Sequence, residues 1–204
     1  MNRIDAIYSY IDINDKVVDV GCDQAKLGLK LASRCQHSIA CDISEKVINK
    51  ARKSIDNKYI DLRVSDGLYN IKKDEADTLV LSGMGTHTIL EILNNTNLRF
   101  KKIITISNNY HDILRNNMND LNYKVECEQI IKENNKYYNL ILFTEGKKEY
   151  DDYEVNYGLN HKDEKMYIEY LNYLKDKYIK IKNESNNKNE KINYLLELLD
   201  KKEK

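Results

Sequence analysis

The segment Val17-Val18-Asp19-Val20-Gly21-Cys22-Asp23, with Asp42 about twenty residues further on, decides the fold of this chain. Valines around a single acid, followed directly by glycine, predict a buried parallel strand that ends in a tight turn. Before a helix, such a turn lets backbone N–H groups approach a ligand closely. An acid at the end of the next strand can accept hydrogen bonds from both ribose hydroxyls. The pattern therefore predicts a site for a nucleoside-bearing cofactor.

The composition indicates one medium-sized domain with an appendage. The chain has 204 residues, and 33 Lys and Arg residues balance 33 Asp and Glu residues, so any nucleic-acid surface must be a local patch. We find neither a stretch typical of a membrane span nor a signal-peptide pattern. Four cysteines show no C-x-x-C pairing, which argues against zinc and against a disulfide framework: Cys22, Cys35, Cys41 and Cys127. We expect a reduced, cytoplasmic protein with no metal and no membrane partner.

Alternating strand and helix patterns predict an α/β fold with a parallel sheet that is covered on both faces. A short amphipathic helix over residues 4–11 precedes strands at 16–20, 38–42, 60–64, 77–82 and 102–107. The intervening helices are predicted at 24–34, 44–57, 86–94 and 110–121. Two further strands, at 123–131 and 136–143, are joined by a polar segment typical of a hairpin loop. This order predicts the Rossmann-like, seven-stranded sheet of class I methyltransferases.

The last part of the chain has a different periodicity. Apolar side chains there step by four and three residues, the spacing of a coiled-coil seam, at Tyr167, Leu171, Leu174, Tyr178 and Ile181. After a polar break at 183–189, a second stripe follows at Ile192, Leu195, Leu196 and Leu199. Because neither helix can bury its seam alone, we predict an antiparallel helical hairpin, with a disordered charged tail as the alternative. The predicted domains are residues 1–150 and 151–204.

The loop after the first strand distinguishes between two cofactor classes. A dinucleotide-binding loop requires G-x-G-x-x-G, but Asp23 stands here at the position of the second glycine. A carboxylate at this position would repel a pyrophosphate, whereas it can attract the ammonium and sulfonium groups of S-adenosylmethionine. The substitution therefore favours the methyl donor over NAD.

Two further acids follow strands. Asp42 is predicted to bind the ribose hydroxyls, and its alternative role is to cap the next helix, for which Ser44 is also suited. Asp66-Gly67 follows the third strand, where related folds recognise the adenine amino group, although Asp-Gly is also an ordinary turn.

Strands four and five also end in polar or glycine-rich segments. The segment Ser82-Gly83-Met84-Gly85-Thr86 allows the backbone to approach the reacting centre, and Thr86 is a candidate helix cap. After strand five, Asn108 or Asn109 could hydrogen-bond a base edge, or both could be plain turn residues. The four histidines show no ligand spacing.

Three motifs together resemble the bacterial tRNA adenine-22 N1-methyltransferase family: Asp19-Val20-Gly21-Cys22-Asp23, Ser65-Asp66-Gly67-Leu68 and Ser82-Gly83-Met84-Gly85. The resemblance spans most of the chain and includes Lys136-Tyr137-Tyr138, Tyr157-Gly158 and the C-terminal hairpin.

The chain departs from the family pattern at three places. In the loop after the first strand, Asp23-Gln24-Ala25-Lys26-Leu27-Gly28 stands where the family usually has Asp-His-Ala-Tyr-Leu-Pro. Thr86 replaces a frequent Gly, and Ser107-Asn108-Asn109 stands where Gln-Pro-Asn is common, so that only Asn109 agrees. Gln24 cannot act as a histidine base, although it can still hydrogen-bond a base edge.

The resemblance implies S-adenosylmethionine-dependent methylation of N1 of adenine 22 in tRNA, with the helical hairpin in contact with the tRNA. We expect Asp23 to stabilise the charged product or to hold the methionine ammonium, Asn109 to orient the base, and Met84 to shape its slot. Cofactor contacts are expected from Asp19, Gly21, Cys22, Asp42, Ile43, Asp66, Gly67, Ser82 and Gly83. Substrate contacts are expected from Gln24, Lys26, Asn108 and Lys175.

Other functions remain open at this point. The chain could be a class I methyltransferase for another RNA, a small molecule or a protein, with the hairpin as a dimerisation element. It could also be a non-catalytic regulator that binds S-adenosylmethionine. We expect a monomer.

Overall fold

The computed structural model describes residues 1–35, 37–55 and 59–202, and a single seven-stranded sheet lies at its centre. The strands are β1 (Val17–Val20), β2 (Ser38–Asp42), β3 (Ile60–Val64), β4 (Thr78–Ser82), β5 (Lys102–Ser107), β6 (Tyr123–Glu133) and β7 (Lys136–Glu145). Their order is β3-β2-β1-β4-β5-β7-β6, with β1 to β5 parallel and β7 antiparallel to both of its neighbours. The predicted fold is confirmed.

The helices of the described residues connect these strands or follow them. They are α1 (Arg3–Ser9), α2 (Lys26–Leu31), α3 (Glu45–Ser54), α4 (Thr86–Asn94), α5 (His111–Asp120), α6 (Asp152–Tyr157), α7 (Glu164–Glu184) and α8 (Glu190–Lys202). Along β4, Leu79 and Leu81 pack in one apolar cluster, whereas Val80 packs with Ile104 in another. Because successive strand residues point to opposite faces, both faces of the sheet are buried.

The register of the sheet opens a crevice at the carboxyl end of β1. Val20 pairs with Cys41 of β2 on one side and with Leu81 of β4 on the other. Gly21 N and Cys22 N then both donate to Cys41 O, at 2.9 and 3.0 Å, which turns the chain sharply out of the sheet. The chain leaves β1 towards β2 on one side and later returns to β4 on the other. Ligands of open α/β sheets bind at such a switch point.

The β6–β7 hairpin is longer than its sequence pattern predicts. Its turn is only Asn134-Asn135, both in the left-handed region (φ +50° and +59°), as a two-residue hairpin turn requires. Glu133 and Lys136 therefore pair as strand residues, and a bulge between Val125 and Cys127 adds twist to β6.

Several predicted helices are shorter in the structure, and α2 and α3 differ most from the prediction. Helix α2 begins at Lys26 rather than residue 24, because Ala25 has a left-handed backbone (φ +49°) that cannot continue a helix. Helix α3 ends at Ser54, and the predicted continuation at Asp56 and Asn57 lies outside the described residues.

The C-terminal hairpin forms as predicted, with one difference. Both stripes meet in one apolar cluster, which holds Leu171, Leu174, Tyr178 and Ile181 of α7 and Ile192, Leu195, Leu196 and Leu199 of α8. Tyr157 of α6 joins this cluster, and its hydroxyl donates to Leu195 O at 2.6 Å. Tyr167, predicted in the seam, instead stacks on His161 at 3.5 Å between ring centroids.

A buried ion pair connects the sheet to the helices that follow it. Arg115 of α5 donates through Nε and Nη2 to the two oxygens of Glu128 on β6, at 2.9 and 2.7 Å, and both side chains are at most 1% exposed. Asn139 of β7 donates to the same carboxylate, and Arg115 Nη1 donates to Val155 O of α6. Burial opposes ionisation of Glu128, yet the guanidinium holds its pKa below the ordinary value.

The segment after α6 closes onto this ion pair. Gly158 has a left-handed backbone (φ +89°), and a Cβ there would lie 2.6 Å from Glu128 Oε1. Leu159 N donates to the same oxygen at 3.1 Å. Only glycine fits both the backbone conformation and the space.

We predict that Glu128→Gln lowers the free energy of unfolding by about 3–5 kcal/mol, because Arg115 would remain charged and buried without its counter-ion. Chemical denaturation followed by far-UV circular dichroism measures the difference. Glu126→Gln is the matched control, since Glu126 is exposed on the same strand. Equal losses in both variants would show that the ion pair is not the stabilising contact.

Candidate active site

Two clefts open on either side of Gly21. The first, the β2–β3 cleft, has a volume of about 990 Å³ and lies between the ends of β2 and β3 and helix α4. The second, the β1–β4 cleft, has a volume of about 620 Å³ and lies between the turn after β1, the end of β4 and helix α1. Gly21 lines both, so a ligand longer than one cleft can pass over it.

Gly21 is constrained by its backbone and by its neighbour Met84. Its φ is +76°, and a Cβ at this position would lie 3.0 Å from Met84 Cε. Gly83, at the end of β4, also has a left-handed backbone (φ +83°) and is open to solvent. The residues that follow β1 and β4, Gly21 and Gly83, thus expose backbone without a side chain to the clefts, as the sequence predicts.

Asp19 and Asp42 place two carboxylates at the ends of adjacent strands. Asp19 is 7% exposed, and burial, with a smaller contribution from the charge of Asp42, raises its pKa to about 7. Asp19 lines the β1–β4 cleft and Asp42 lines the β2–β3 cleft. A cation bound beside Asp19 would replace the solvation that this carboxylate has lost.

Of the two residues considered as the cap of α3, Ser44 is the one that caps it, and the ribose role of Asp42 stays a prediction. Ser44 caps α3 by accepting a hydrogen bond from Val47 N at 3.4 Å. Asp42 Oδ1 accepts from Ser44 N at 2.9 Å, which fixes the carboxylate at the wall of the β2–β3 cleft.

The Asp66-Gly67 turn lies in the β2–β3 cleft opposite α4. Asp66 is exposed there, while Gly67 has φ +52° and would place a Cβ 3.1 Å from Ile92 Cγ1. Ile43, another predicted contact, is 67% exposed in the same cleft. The opposite wall of the β2–β3 cleft was not predicted from the sequence. It is formed by α4 through Thr88, Glu91 and Ile92. The only available signal was that α4 directly follows the Gly-Met-Gly segment.

The β1–β4 cleft contains Asp23 and its predicted partners. Asp23, Gln24 and Lys26 are all exposed there, together with Gly83, whereas Cys22 is buried. Asp23 has φ +48° and Ala25 has φ +49°, so two non-glycine residues in one turn carry left-handed backbone. This conformation is common for Asp in turns but is unfavourable for Ala, so the turn as a whole must stabilise Ala25.

Thr86 does not cap α4 as predicted. The N-cap residue is Gly85, and Thr86 N instead donates to Asn109 Oδ1 at 3.2 Å. The Thr86 hydroxyl lies 2.7 Å from Ser107 Oγ and donates to Asn109 O at 2.5 Å. The prediction was wrong because the loop after β5 folds over the end of β4 and supplies the cap from a distant part of the chain.

The two asparagines after β5 are held by this loop. Asn108 N donates to Met84 O at 3.0 Å and Asn108 Nδ2 to Gly83 O at 3.1 Å, while Asn109 presents its Oδ1 to Thr86. Both side chains are exposed beside the end of β4.

Lys175 lies far along α7 in a different environment. Its ammonium is 2.8 Å from Asp200 Oδ1 of α8. The structure therefore does not bring it together with the other predicted site residues.

In the described part of the chain, His, Cys, Asp and Glu side chains form no group of three that could hold a metal ion.

The whole chain is similar to known methyltransferases. Residues 1–141 match the family model described as "Methyltransferase domain". A Bacillus subtilis tRNA (adenine(22)-N(1))-methyltransferase is 27% identical over 168 residues, covering 77% of this chain and 71% of its own. The structure of M. capricolum TrmK with S-adenosyl-homocysteine is 28% identical, covers 98% of this chain and 96% of its own, and superposes with a TM-score of 0.86. Streptococcus pneumoniae Sp1610 with S-adenosyl-L-methionine is 20% identical, covers 98% and 97%, and has a TM-score of 0.85.

We predict that Asp19→Asn stabilises the ligand-free protein in a pH-dependent manner. The Asp19 pKa rises from 3.8 to about 7 on folding, so the folded state binds more protons than the unfolded state between these values. Wild-type stability should therefore fall as pH rises through this window, and the advantage of the Asn variant should grow to a plateau on the order of 2–4 kcal/mol above pH 7.

Urea denaturation between pH 4 and 8 measures this advantage. Asp66→Asn serves as the control, because Asp66 is exposed. A gain in stability from Asp19→Asn that is constant over the whole range would contradict the prediction.

Proposed function

The chain belongs to the methyltransferase domain family, and we propose that it transfers the methyl group of S-adenosylmethionine to N1 of adenine 22 in tRNA. The observation that carries the proposal is the extent of the similarity to M. capricolum TrmK. It covers 98% of this chain at 28% identity, so it includes the C-terminal helices as well as the methyltransferase domain.

The residues that line the two clefts are chemically suited to S-adenosylmethionine. Three acids, Asp42, Asp66 and Glu91, and one lysine, Lys73, line the β2–β3 cleft, so its formal charge of −2 opposes a pyrophosphate, whereas its carboxylates can accept hydrogen bonds from an uncharged nucleoside. Bare backbone at Gly21 leaves room for a ligand to pass between the clefts. When bound, the cofactor supplies a methyl group that a sulfonium makes electrophilic.

Asp42, Asp66 and Asp19 then each have a separate role in holding the cofactor. Asp42 accepts from the ribose hydroxyls, Asp66 binds the adenine amino group, and Ile43 covers the adenine ring. Asp19, buried beside Gly21 and Cys22, balances the charge of the methionine ammonium. Ser82 and Gly83 complete the wall of this second cleft.

The reaction requires no strong base, because N1 of adenine carries a lone pair at neutral pH. The protein must place this nitrogen in line with the methyl group, with the base unstacked from its helix. The adenine ring gains positive charge, which Asp23 stabilises from the exposed side of the β1–β4 cleft. Gln24 and Lys26, in the same cleft, bind the substrate beside it.

The loop after β5, which contains Asn108 and Asn109, orients the adenine base. Asn109 Oδ1 is engaged by Thr86 N, so its Nδ2 is the group that donates to a ring nitrogen of adenine. Asn108 Nδ2 is engaged by Gly83 O, so its Oδ1 is the acceptor for the exocyclic amino group. Met84 lines the β2–β3 cleft beside Gly21, so it shapes the passage between the cofactor cleft and the base from the cofactor side.

We also infer a monomeric, cytoplasmic enzyme, with residues 1–150 as the methyltransferase domain and 151–204 as the tRNA-contacting part. In the described ranges, no helix has the length and apolar character needed to cross a bilayer. The seam of α7 and α8 packs against α6 of the same chain, so the hairpin needs no second copy to bury it.

The tRNA assay that tests this proposal uses two transcripts that differ only in A or G at position 22. We expect one methyl group per A22 transcript, located at N1 by mass spectrometry of the digested nucleosides, and none on the G22 transcript. Equal methylation of both transcripts would exclude position 22. No transfer to either, with calorimetric binding of S-adenosylmethionine intact, would favour a regulator or a different substrate.

Asp23→Ala is expected to lower kcat by about 100-fold while the affinity for S-adenosylmethionine changes by less than a few-fold, because the lost interaction forms in the transition state. Asp42→Ala is the contrasting variant and should mainly weaken cofactor binding. Single-turnover kinetics and calorimetry separate the two effects. Equal losses of rate and cofactor affinity in Asp23→Ala would assign Asp23 to the methionine ammonium instead.

A further inference from the structure

A third cleft, of about 700 Å³, lies between the start of α5, the tip of the β6–β7 hairpin and the α7–α8 pair. We call it the tyrosine cleft, and its defining residues are Tyr137, Tyr170, Tyr173, Tyr178, Lys177 and Lys191. Its volume is in the range of small-ligand pockets and can hold one or two nucleotides.

The aromatic rings of this cleft are held in place. The ring centroid of Tyr137 lies 4.9 Å from that of Tyr173 and 5.5 Å from that of Tyr170. The Tyr137 hydroxyl donates to Glu169 Oε1 at 2.7 Å, which fixes the orientation of the central ring. Tyr173 is nevertheless 46% exposed, so part of its aromatic surface faces solvent.

The charge of the tyrosine cleft is opposite to that of the β2–β3 cleft. Lys136, Lys177 and Lys191 line it together with a single acid, Asp112, which gives a formal charge of +2. Lys191 Nζ lies 3.6 Å from Asp112 Oδ2 at the surface and remains 66% exposed. Aromatic rings beside several lysines form the combination that binds single-stranded nucleic acid, in which bases stack and phosphates are neutralised.

The tyrosine cleft adjoins the β1–β4 cleft, because Asn108 lines the former and donates to Gly83 O, which lines the latter. Its wall on the sheet side begins at Ser107, Asn108 and Asn109, the loop that folds over the end of β4. A strand that places a base beside this loop therefore has its next nucleotides at the mouth of the cleft.

We propose that the tyrosine cleft binds an unstacked nucleotide adjacent to the target adenine, with its base against Tyr173 and its phosphate at Lys177. This inference rests on the proposed function, because it takes the ligand to be the tRNA strand that enters the active site. The cleft thereby holds the single strand in the unstacked form that N1 methylation requires.

The first test compares tRNA binding by variants of helix α7. Tyr173→Ala should raise the Kd for an unmodified A22 transcript roughly five- to 100-fold, the range for loss of one stacked base. Tyr173→Phe should bind as the wild type does, because the ring is kept. Ile179→Ala is the control, since Ile179 is 43% exposed on the same helix but does not line the cleft. Wild-type affinity in Tyr173→Ala would overturn the proposal.

The second test does not depend on stacking. Lys177 lines the cleft, whereas Lys180 is exposed on the same helix outside it. Lys177→Ala should reduce the slope of log Kd against log salt concentration by about 0.7–0.9, the value for one phosphate contact. Lys180→Ala, with the same change in charge, should leave the slope unchanged. Equal slopes in the two variants would overturn the proposal.

Failure of the inference can be distinguished from failure of the proposed function. Wild-type methylation of A22 with normal tRNA affinity in Tyr173→Ala and equal slopes in both lysine variants would refute the cleft alone. Absence of A22 methylation, with tRNA affinity that still depends on Tyr173 and Lys177, would refute the target site but support the cleft. Calorimetric binding of S-adenosyl-homocysteine serves as the measure of folding in every variant.

Discussion

The buried pair of Arg115 and Glu128 is the interaction on which the rest of the structure depends. It joins α5 to β6, and its remaining hydrogen-bonding groups reach β7, α6 and the chain after Gly158. Taking two charges out of water is costly, and the cost is offset here only because nearly every donor and acceptor of the pair has a partner. The pair therefore fixes where the C-terminal helices begin relative to the sheet. Since α7 and α8 form one wall of the tyrosine cleft, the shape of that cleft depends on it as well.

A second constraint operates at the carboxyl ends of the strands. Asp19 is buried near the carboxylate of Asp42. Its pKa is raised because burial and this second negative charge both destabilise the ionised form of Asp19 in the ligand-free protein. Left-handed backbone at Ala25 adds strain in the turn that follows β1. These unfavourable features are reasonable in a site that binds a cationic cofactor, because the ligand supplies the charge that the protein lacks.

Much of the fold could be predicted from local patterns. The alternation of β-branched strands with amphipathic helices identified all seven strands, and the four-three spacing identified both long C-terminal helices. Errors occurred where backbone conformation or distant contacts decided the outcome. Ala25 shortened α2 through a left-handed backbone that no propensity indicates, and Thr86 was taken for a cap because the Asn109 side chain that caps α4 lies 23 residues away in the sequence. Helix α6 was missed, since its six residues are too few for a periodic pattern.

Local sequence patterns were enough to predict the sheet, the class of cofactor and several acids that line the two clefts. Strand periodicity and the turn at Gly21 are local properties, and Asp23 at the second glycine position disfavours a pyrophosphate through charge repulsion. Only the tertiary structure decided which asparagine atoms remain available to a base, and that Lys175 pairs with Asp200. It also brought tyrosines from β7 and α7, about 35 residues apart in the chain, into one cleft. Such contacts depend on how elements pack across long sequence separations, which no local periodicity encodes.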